Sequence, residues 1–210
     1  MTSHFQGSLL EAALDDCTVG PLAGALTRTQ LSDGAWVDVL PGWLSGSDAL
    51  FLRLLDGVPW RAERRTMYER VVDVPRLLSW YGEGAPLPDP VLEQARSALS
   101  AHYLPELAEP FRTAGLCYYR DGRDSVAWHG DTVGRSQRED TMVAIVSLGE
   151  PRRLLLRPRS GGATLGFALG HGDLIVMGGS CQRTWEHAIP KTARPVGPRI
   201  SVQYRPRGVR

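Results

Sequence analysis

Lysine is almost absent from this chain of 210 residues. Lys191 is the only lysine among its 24 lysine and arginine residues, so its positive charge is carried almost entirely by arginine. With 23 acidic residues the net charge is +1, which excludes a strong overall attraction to nucleic acid or to an acidic surface. Arginines bunch at residues 61–76 and 152–159, where they can contact phosphates. From the sequence alone, a solvated surface rich in arginine is the better explanation.

Cysteines are also few, and long apolar runs are missing. Cys17, Cys117 and Cys181 show no metal-binding spacing, and their odd number predicts buried free thiols, as in a reducing compartment. No apolar run reaches the roughly 18 residues that a transmembrane helix needs. The first residues lack the basic and apolar regions of a signal peptide. We therefore expect a cytoplasmic protein with no membrane contact and no obligate protein partner.

The pattern of apolar and polar residues changes near residue 110. Residues 1–30 have weak periodicity and are predicted to form a flexible arm. Residues 31–110 contain two helical patterns, one after a serine or aspartate cap near residue 45 and one from Asp89-Pro90 to about Tyr103. We expect this part to pack on the core as a substrate lid. Residues 111–210 are predicted to form that core, within a single domain.

The core region is predicted to be β-rich. Short strand-like segments alternate with glycine-rich turns, a pattern typical of a sandwich, barrel or jelly roll. The predicted strands are residues 116–120, 125–131, 141–148, 153–157, 174–177, 185–189 and 199–205. With its helical patterns, the chain is expected to be mainly β with flanking helices (α+β).

One predicted strand contains the triplet His129-Gly130-Asp131. Side chains two residues apart share a strand face, so His129 and Asp131 can converge on one ion from Cα atoms roughly 6–7 Å apart. Two imidazoles and one carboxylate are the ligand set of a non-haem Fe(II) centre. The second imidazole is assigned to strand-like His187 in preference to His171, which lies in a turn sequence, although spacing alone leaves both open. A surface strand with a polar stripe is the alternative.

The last predicted strand alternates cleanly. Arg199, Ser201, Gln203 and Arg205 share one face, opposite an apolar face. Two buried arginines need anionic partners, because an unpaired buried charge is very costly. A dicarboxylate ligand can satisfy both by forked contacts, and internal salt bridges are the alternative.

Together, these motifs resemble the AlkB family of Fe(II)/2-oxoglutarate-dependent dioxygenases. The family pattern is His-x-Asp, a distal His and two arginines six residues apart. The matching residues are His129, Asp131, His187, Arg199 and Arg205. Further matching stretches are residues 119–122, 124–129, 146–149 and 171–177, and the segments Pro75-Arg76-Leu77 and Trp80-Tyr81-Gly82.

The resemblance implies a double-stranded β-helix (jelly-roll) core that uses Fe(II), 2-oxoglutarate and O₂. It assigns iron to His129, Asp131 and His187, with no catalytic residue beyond this metal site. It assigns 2-oxoglutarate to Arg199 at the distal carboxylate, to Arg205 near the metal and to Tyr119. Cys117 and Ser201 stand at co-substrate positions where the family often has asparagine.

The implied reaction is oxidative demethylation of N-alkylated bases in DNA or RNA, as in alkylation damage repair. It releases formaldehyde, succinate and CO₂ and needs a flipped or single-stranded base. Trp80, Tyr81 and Arg76 are the candidate substrate-binding residues.

Two departures concern the substrate. Val133 stands where demethylases commonly carry a carboxylate that contacts the base, and the aromatic hairpin expected after Tyr81-Gly82 is missing. A 2-oxoglutarate-dependent hydroxylase or demethylase of a protein or small molecule is therefore a second hypothesis. A non-catalytic nucleic-acid-binding module is a third.

Overall fold

The computed structural model describes residues 17–67 and 70–209. It contains three α-helices in this described part, α1 (Ser47–Gly57), α2 (Pro90–Leu107) and α3 (Cys181–Thr184), and two short 3-10 helices, Ser32–Gly34 and Arg135–Gln137. Its strands are β1 (Thr18–Val19), β2 (Thr27–Gln30), β3 (Ala35–Leu40), β4 (Leu44–Ser45), β5 (Arg61–Met67), β6 (Arg70–Tyr81), β7 (Thr113–Tyr119), β8 (Val126–His129), β9 (Val143–Gly149), β10 (Arg152–Pro158), β11 (Leu165–Leu169), β12 (Asp173–Gly179), β13 (Trp185–Ile189) and β14 (Arg199–Arg205).

Two antiparallel sheets form the body of the fold. The larger has eight strands in the order β2-β3-β12-β9-β14-β7-β6-β5, and the smaller has four in the order β11-β10-β13-β8. The strands β1 and β4 pair separately. This architecture confirms the predicted jelly roll with flanking helices. Strands from both sides of residue 110 share the larger sheet, while the domain division itself and the flexible arm, most of which lies outside the described residues, stay predictions.

Residues in the central strands alternate between two buried clusters. In β9, Ala144 and Val146 belong to a cluster shared with α1 and α2, whereas Val143 and Ile145 belong to a cluster shared with the smaller sheet. This is the period of two expected when both faces of a strand are covered. The second cluster therefore lies between the two sheets, where the larger sheet faces the strands that carry the histidines.

The helix ends follow their capping residues. Asp89 accepts a hydrogen bond from the backbone N of Val91 at 2.9 Å and precedes Pro90 in the first turn, as expected. This helix continues past Tyr103 to Leu107, where Ala108 takes a left-handed conformation with φ 60°. The expected side-chain cap of α1 is wrong, because Gly46 precedes this helix and no side chain caps it.

Among residues 17–67 and 70–209, no helix combines the length and apolar character needed to cross a membrane. All three cysteines are buried free thiols, as predicted.

Candidate metal and co-substrate site

The two candidate histidines face each other across neighbouring strands of the smaller sheet. His129 is the last residue of β8 and pairs in register with His187 of β13. Their ring centroids lie 4.2 Å apart. Nδ1 of His129 lies 2.8 Å from the backbone oxygen of Ala127 and donates to it, which leaves Nε2 free to bind a metal.

Asp131 reaches the histidines from a loop. The expectation that it shares a strand face with His129 is wrong, because β8 ends at His129. The turn needs Gly130, since a Cβ there would stand 2.2 Å from the backbone oxygen of Gln182. Gln182 Oε1 in turn accepts a hydrogen bond from the backbone N of Asp131 at 3.0 Å. Ser136 Oγ donates to the backbone oxygen of Asp131.

These three side chains fit a divalent metal ion. One donor atom from each of His129, Asp131 and His187 lies within 4.8 Å of the others. Burial lowers the pKa of His187 to about 3, so its imidazole is neutral at physiological pH. Burial opposes ionisation of Asp131, but the facing charge of Arg205 and the two imidazoles hold its pKa well below the ordinary value. A neutral imidazole and an ionised carboxylate are the forms that bind metal.

Arg205 is paired inside the protein. Its Nε donates to Oδ2 of Asp131 at 2.8 Å, and Nη2 lies at the same distance from that oxygen. The idea that one dicarboxylate ligand neutralises both arginines is therefore wrong for Arg205, which has an internal salt bridge. Oδ1 of Asp131 is left on the side of His129, 3.7 Å from Nε2.

Arg199, in contrast, keeps a buried atom without a partner. Its side chain is 1% exposed, and Nε donates to Ser147 Oγ at 2.9 Å. Its Nη1 has no hydrogen-bond partner among the described residues. The guanidinium lies 5.1 Å from the ring centroid of Tyr119, its register partner on β7. A carboxylate supplies the charge and the acceptor that this site lacks.

The metal cluster and Arg199 line one cavity of about 740 Å³. Cys117 and Ser201, which pair in register on β7 and β14, line it too, as does Tyr119. The structure thus brings every residue predicted for metal and co-substrate to one place. A cavity of this size holds 2-oxoglutarate together with part of a larger substrate.

The predicted substrate residues line the same cavity. Trp80 is 44% exposed, with the Arg205 guanidinium 5.9 Å from its ring centroid. Tyr81 is half-buried and packs against the core, so Trp80 is better placed to meet a substrate. Arg76 donates from Nη1 to the backbone oxygen of Ser125 at 3.0 Å, and its buried Nε has no partner among the described residues. Val133 lines the cavity as well and is 65% exposed.

Comparisons with known proteins agree with this geometry. The family model described as the 2OG-Fe(II) oxygenase superfamily matches residues 37–205. The chain belongs to the 2OG-Fe(II) oxygenase superfamily. Its cofactor is Fe(II), with 2-oxoglutarate and O₂ as co-substrates.

Two curated relatives confirm the resemblance to the AlkB family. Mouse "Alpha-ketoglutarate-dependent dioxygenase alkB homolog 3" is 29% identical over 191 residues, which cover 80% of this chain and 65% of the relative. Arabidopsis thaliana "DNA oxidative demethylase ALKBH2" is 30% identical over 118 residues, or 45% of this chain and 37% of the relative. The chain thus spans slightly under two thirds of the first relative's length.

The fold is also similar to that of a solved oxygenase with a protein ligand. A prolyl hydroxylase from Trichoplax adhaerens, solved with a hypoxia inducible factor peptide fragment, matches with a TM-score of 0.58 and 13% identity. The match covers 83% of this chain and 84% of that one. The superfamily fold by itself therefore leaves the substrate class open.

Sequence reasoning missed three residues that support this oxygenase site. They are Ser147, which binds Arg199, Gln182, which binds the backbone of Asp131, and Gly115. A Cβ at Gly115 would lie 3.2 Å from Arg205 Nη1 and 3.3 Å from the Trp80 ring, so glycine makes room for both. Only the strand register could have indicated Gly115, which pairs with Gln203 of β14.

The structure also places three further residues that lie near the predicted motifs. His171 lies away from the metal cluster, and its Nδ1 accepts a hydrogen bond from the backbone N of Gly149 at 2.7 Å, as predicted for a turn. Trp128, next to His129 in the chain, is half-buried beneath the Arg157 guanidinium, which lies 4.3 Å from its ring centroid. Arg152 is buried and donates to three backbone oxygens, so it is unavailable to phosphates.

The depressed pKa of His187 predicts that acid destabilises the metal-free protein. Below pH 6.5, the ordinary pKa of histidine, this side chain is protonated in the unfolded chain but stays neutral in the folded protein. The free energy of unfolding therefore falls as the pH drops from 6.5 toward 3. Between pH 7 and 5.5 we expect His187 to account for a loss of about 1 kcal/mol. Urea unfolding of chelator-treated wild type and His187→Asn at both pH values checks this. An equal loss in both proteins would contradict it.

Proposed function

We propose that this oxygenase is an AlkB-type demethylase of N-alkylated bases in DNA or RNA, acting in alkylation damage repair. The observation that carries the proposal is one cavity with two complementary features. It holds the cluster of His129, Asp131 and His187, and it holds the buried Arg199 with its unpartnered Nη1. The first suits Fe(II), and the second suits the far carboxylate of a 2-oxo diacid. A cytoplasmic location stays a prediction.

Each side chain then has a defined task. His129, His187 and Oδ1 of Asp131 hold Fe(II), while Arg205 keeps Oδ2 of Asp131 occupied. Arg199 and Tyr119 hold 2-oxoglutarate at the opposite end of the site. Bound Fe(II) would supply the oxidation of the N-methyl carbon by O₂, with 2-oxoglutarate as the reductant that leaves as succinate and CO₂, and the methyl carbon would leave as formaldehyde. The apolar residues Ile145, Leu154 and Ile189 line the cavity and limit water around this chemistry.

A nucleic-acid substrate is supported by the cavity mouth and by the relatives. A base can stack on the exposed Trp80 ring only after it has left the stack of a nucleic-acid duplex. The substrate is therefore a flipped or single-stranded base. Arg61 is exposed, lines the same cavity and can contact the phosphates, whereas Arg76 is bonded to the backbone of Ser125. The Arabidopsis thaliana relative is named a DNA oxidative demethylase, which favours a nucleic acid over other substrates.

The direct test is a demethylation assay. The protein is incubated with Fe(II), ascorbate, 2-oxoglutarate and single-stranded oligonucleotides that carry 1-methyladenine or 3-methylcytosine, and mass spectrometry follows the loss of the methyl group. We expect methyl loss with one equivalent of succinate per base, and none in Asp131→Ala. Absence of methyl loss from both DNA and RNA oligonucleotides, despite succinate formation, would overturn the nucleic-acid substrate.

A protein or small molecule is the second candidate substrate, and Val133 favours it. This residue is 65% exposed in the cavity lining, where the family pattern places a base-contacting carboxylate. A valine at this position gives no hydrogen bond to an amino group on a base, and its apolar side chain suits contact with an uncharged part of a substrate. Succinate formation stimulated by peptides or small amines, with no effect of oligonucleotides, would establish this alternative.

We predict that Trp80→Ala weakens oligonucleotide binding. Base stacking on an aromatic ring contributes about 1–3 kcal/mol, so KM for the oligonucleotide should rise about 5–150-fold while KM for 2-oxoglutarate changes little. Trp128→Ala is the matched control, because Trp128 is half-buried beneath the Arg157 guanidinium. Steady-state assays with varied oligonucleotide check both variants. Equal effects in the two variants would argue against stacking on Trp80.

A further inference from the structure

Gln203 lies between Arg199 and Arg205 on the cavity face of β14. The family pattern assigns it nothing, and the demethylation proposal does not use it. Among the seven residues of β14, all of which the structure describes, it alone is only half-buried. A polar side chain in this place, directed into the cavity, calls for a specific set of hydrogen bonds.

The side-chain amide of Gln203 connects two parts of the site. Its Oε1 accepts from Nη2 of Arg205 at 2.9 Å. Its Nε2 donates to Ser201 Oγ at 3.1 Å and lies 3.3 Å from Cys117 Sγ. The direction of the amide is determined by chemistry, because a guanidinium only donates and must therefore meet the oxygen.

Arg205 connects the side chain of Gln203 to Asp131 of the metal cluster. The Nη2 atom that donates to Gln203 also lies 2.8 Å from Oδ2 of Asp131. One nitrogen thus serves both partners, and its two hydrogens point in directions set by the planar guanidinium. If the Gln203 bond is lost, the guanidinium can turn, and the carboxylate that it holds can turn with it.

The Nε2 end of the Gln203 amide contacts Cys117 and Ser201, the two co-substrate positions where this chain differs from the family pattern. Cys117 and Ser201 are register partners that line the cavity, and both stand where the family often has asparagine. Their short side chains bring no amide to this wall of the cavity. Gln203 brings one from the next position along the same strand face.

We infer that Gln203 is a positioning residue of the oxygenase site. Through Arg205 it holds Asp131 with Oδ1 toward the metal, and its amide takes over the polar wall of the 2-oxoglutarate pocket beside Cys117 and Ser201. The inference rests on the proposed metal and co-substrate residues. It does not depend on the identity of the substrate that is oxidised.

The test measures ligand binding without any oligonucleotide. Under anaerobic conditions, Fe(II) and 2-oxoglutarate are titrated into the wild type, Gln203→Leu and Gln203→Thr, and the visible charge-transfer band of the Fe(II)–2-oxo acid chelate is recorded. Threonine is favoured in strands and is too short to reach Arg205. The Gln203→Thr variant therefore replaces Gln203→Leu in the test if the leucine variant does not fold. Gln30→Leu is the matched control, since Gln30 is exposed on β2 at the far edge of the larger sheet.

We expect both Gln203 variants to bind 2-oxoglutarate and Fe(II) at least ~10-fold more weakly, as found when supporting residues of metal sites are removed. The band should also shift, because the carboxylate orientation at the metal changes. A merely structural role would lower the melting temperature and leave the band and both affinities unchanged.

A second substitution separates the amide from its packing. Adding Ser201→Asn to Gln203→Leu returns an amide to the same strand face, and we expect it to recover most of the 2-oxoglutarate affinity. Failure to recover it would overturn the role of the amide in the co-substrate pocket, and wild-type affinities in both single variants would overturn the inference as a whole. If the wild type itself gives no band, the proposed metal and co-substrate site fails instead.

Discussion

Replacing His187 by alanine is expected to reduce Fe(II)-dependent turnover of 2-oxoglutarate by more than ~100-fold, beyond the loss seen for residues that only support a ligand. The reason is geometric. His187 is 6% exposed and directly opposite His129, and within residues 17–67 and 70–209 no other histidine, cysteine or acidic side chain belongs to this cluster. The remaining His129 and Asp131 offer two ligands, too few to hold Fe(II) at micromolar concentration. Succinate formation and a direct measurement of bound iron check the prediction.

His171→Ala is the matched control for this variant. His171 accepts a backbone hydrogen bond from Gly149 and lies outside the metal cluster, so its loss should lower stability by about 1 kcal/mol and leave iron content unchanged. The opposite pattern, with turnover lost in His171→Ala and kept in His187→Ala, would exchange the ligand assignment that the sequence alone left open.

Replacing Arg199 by leucine is expected to raise KM for 2-oxoglutarate by about 10–100-fold, since hydrogen bonds to charged groups contribute about 1.5–3 kcal/mol. Binding of iron should persist, because Arg199 does not contact the metal cluster. The cause lies in the buried Nη1 atom, which has no partner within the described part of the chain until a carboxylate arrives. Titration of 2-oxoglutarate in a succinate assay measures the effect.

The stability of the same variant gives an independent check. A buried charge that is incompletely paired destabilises the ligand-free protein, so Arg199→Leu should be at least as stable as the wild type when 2-oxoglutarate is absent. It should also lose most of the stabilisation that 2-oxoglutarate gives the wild type. Arg153→Leu, on an exposed part of β10, is the control and should retain this stabilisation. A large drop in the stability of ligand-free Arg199→Leu would mean that Arg199 serves the fold.

The sequence predicted the strands that have at least one buried face. The expected bounds of β13 and β14 match the structure, because apolar residues alternate with the polar ones that line the cavity. The strands β2 and β11 went unnoticed for the opposite reason. The first is polar and exposed throughout, and the second has glycine and alanine at its exposed positions, so neither shows the alternation of apolar and polar residues that predicts a strand.

The sequence by itself determined the ligand types and their order along the chain. His129, Asp131, Arg199 and Arg205 could be named before any fold was known because their order and spacing match the family pattern, although the strand geometry expected for Asp131 was wrong. Val133, at the position of a base-contacting carboxylate, also showed in advance that the chemistry is easier to assign than the substrate.

Only the tertiary structure decided which groups are partners, since partners come from strands far apart in the chain. It brought His187 opposite His129 and paired Asp131 with Arg205, so that of the two β14 arginines it is Arg199 whose buried Nη1 has no partner among the described residues. Pairing of β14 with β7 likewise placed Gln203 beside Cys117. Such choices depend on sheet register and on the depth of burial, and a linear sequence specifies these only through the completed fold.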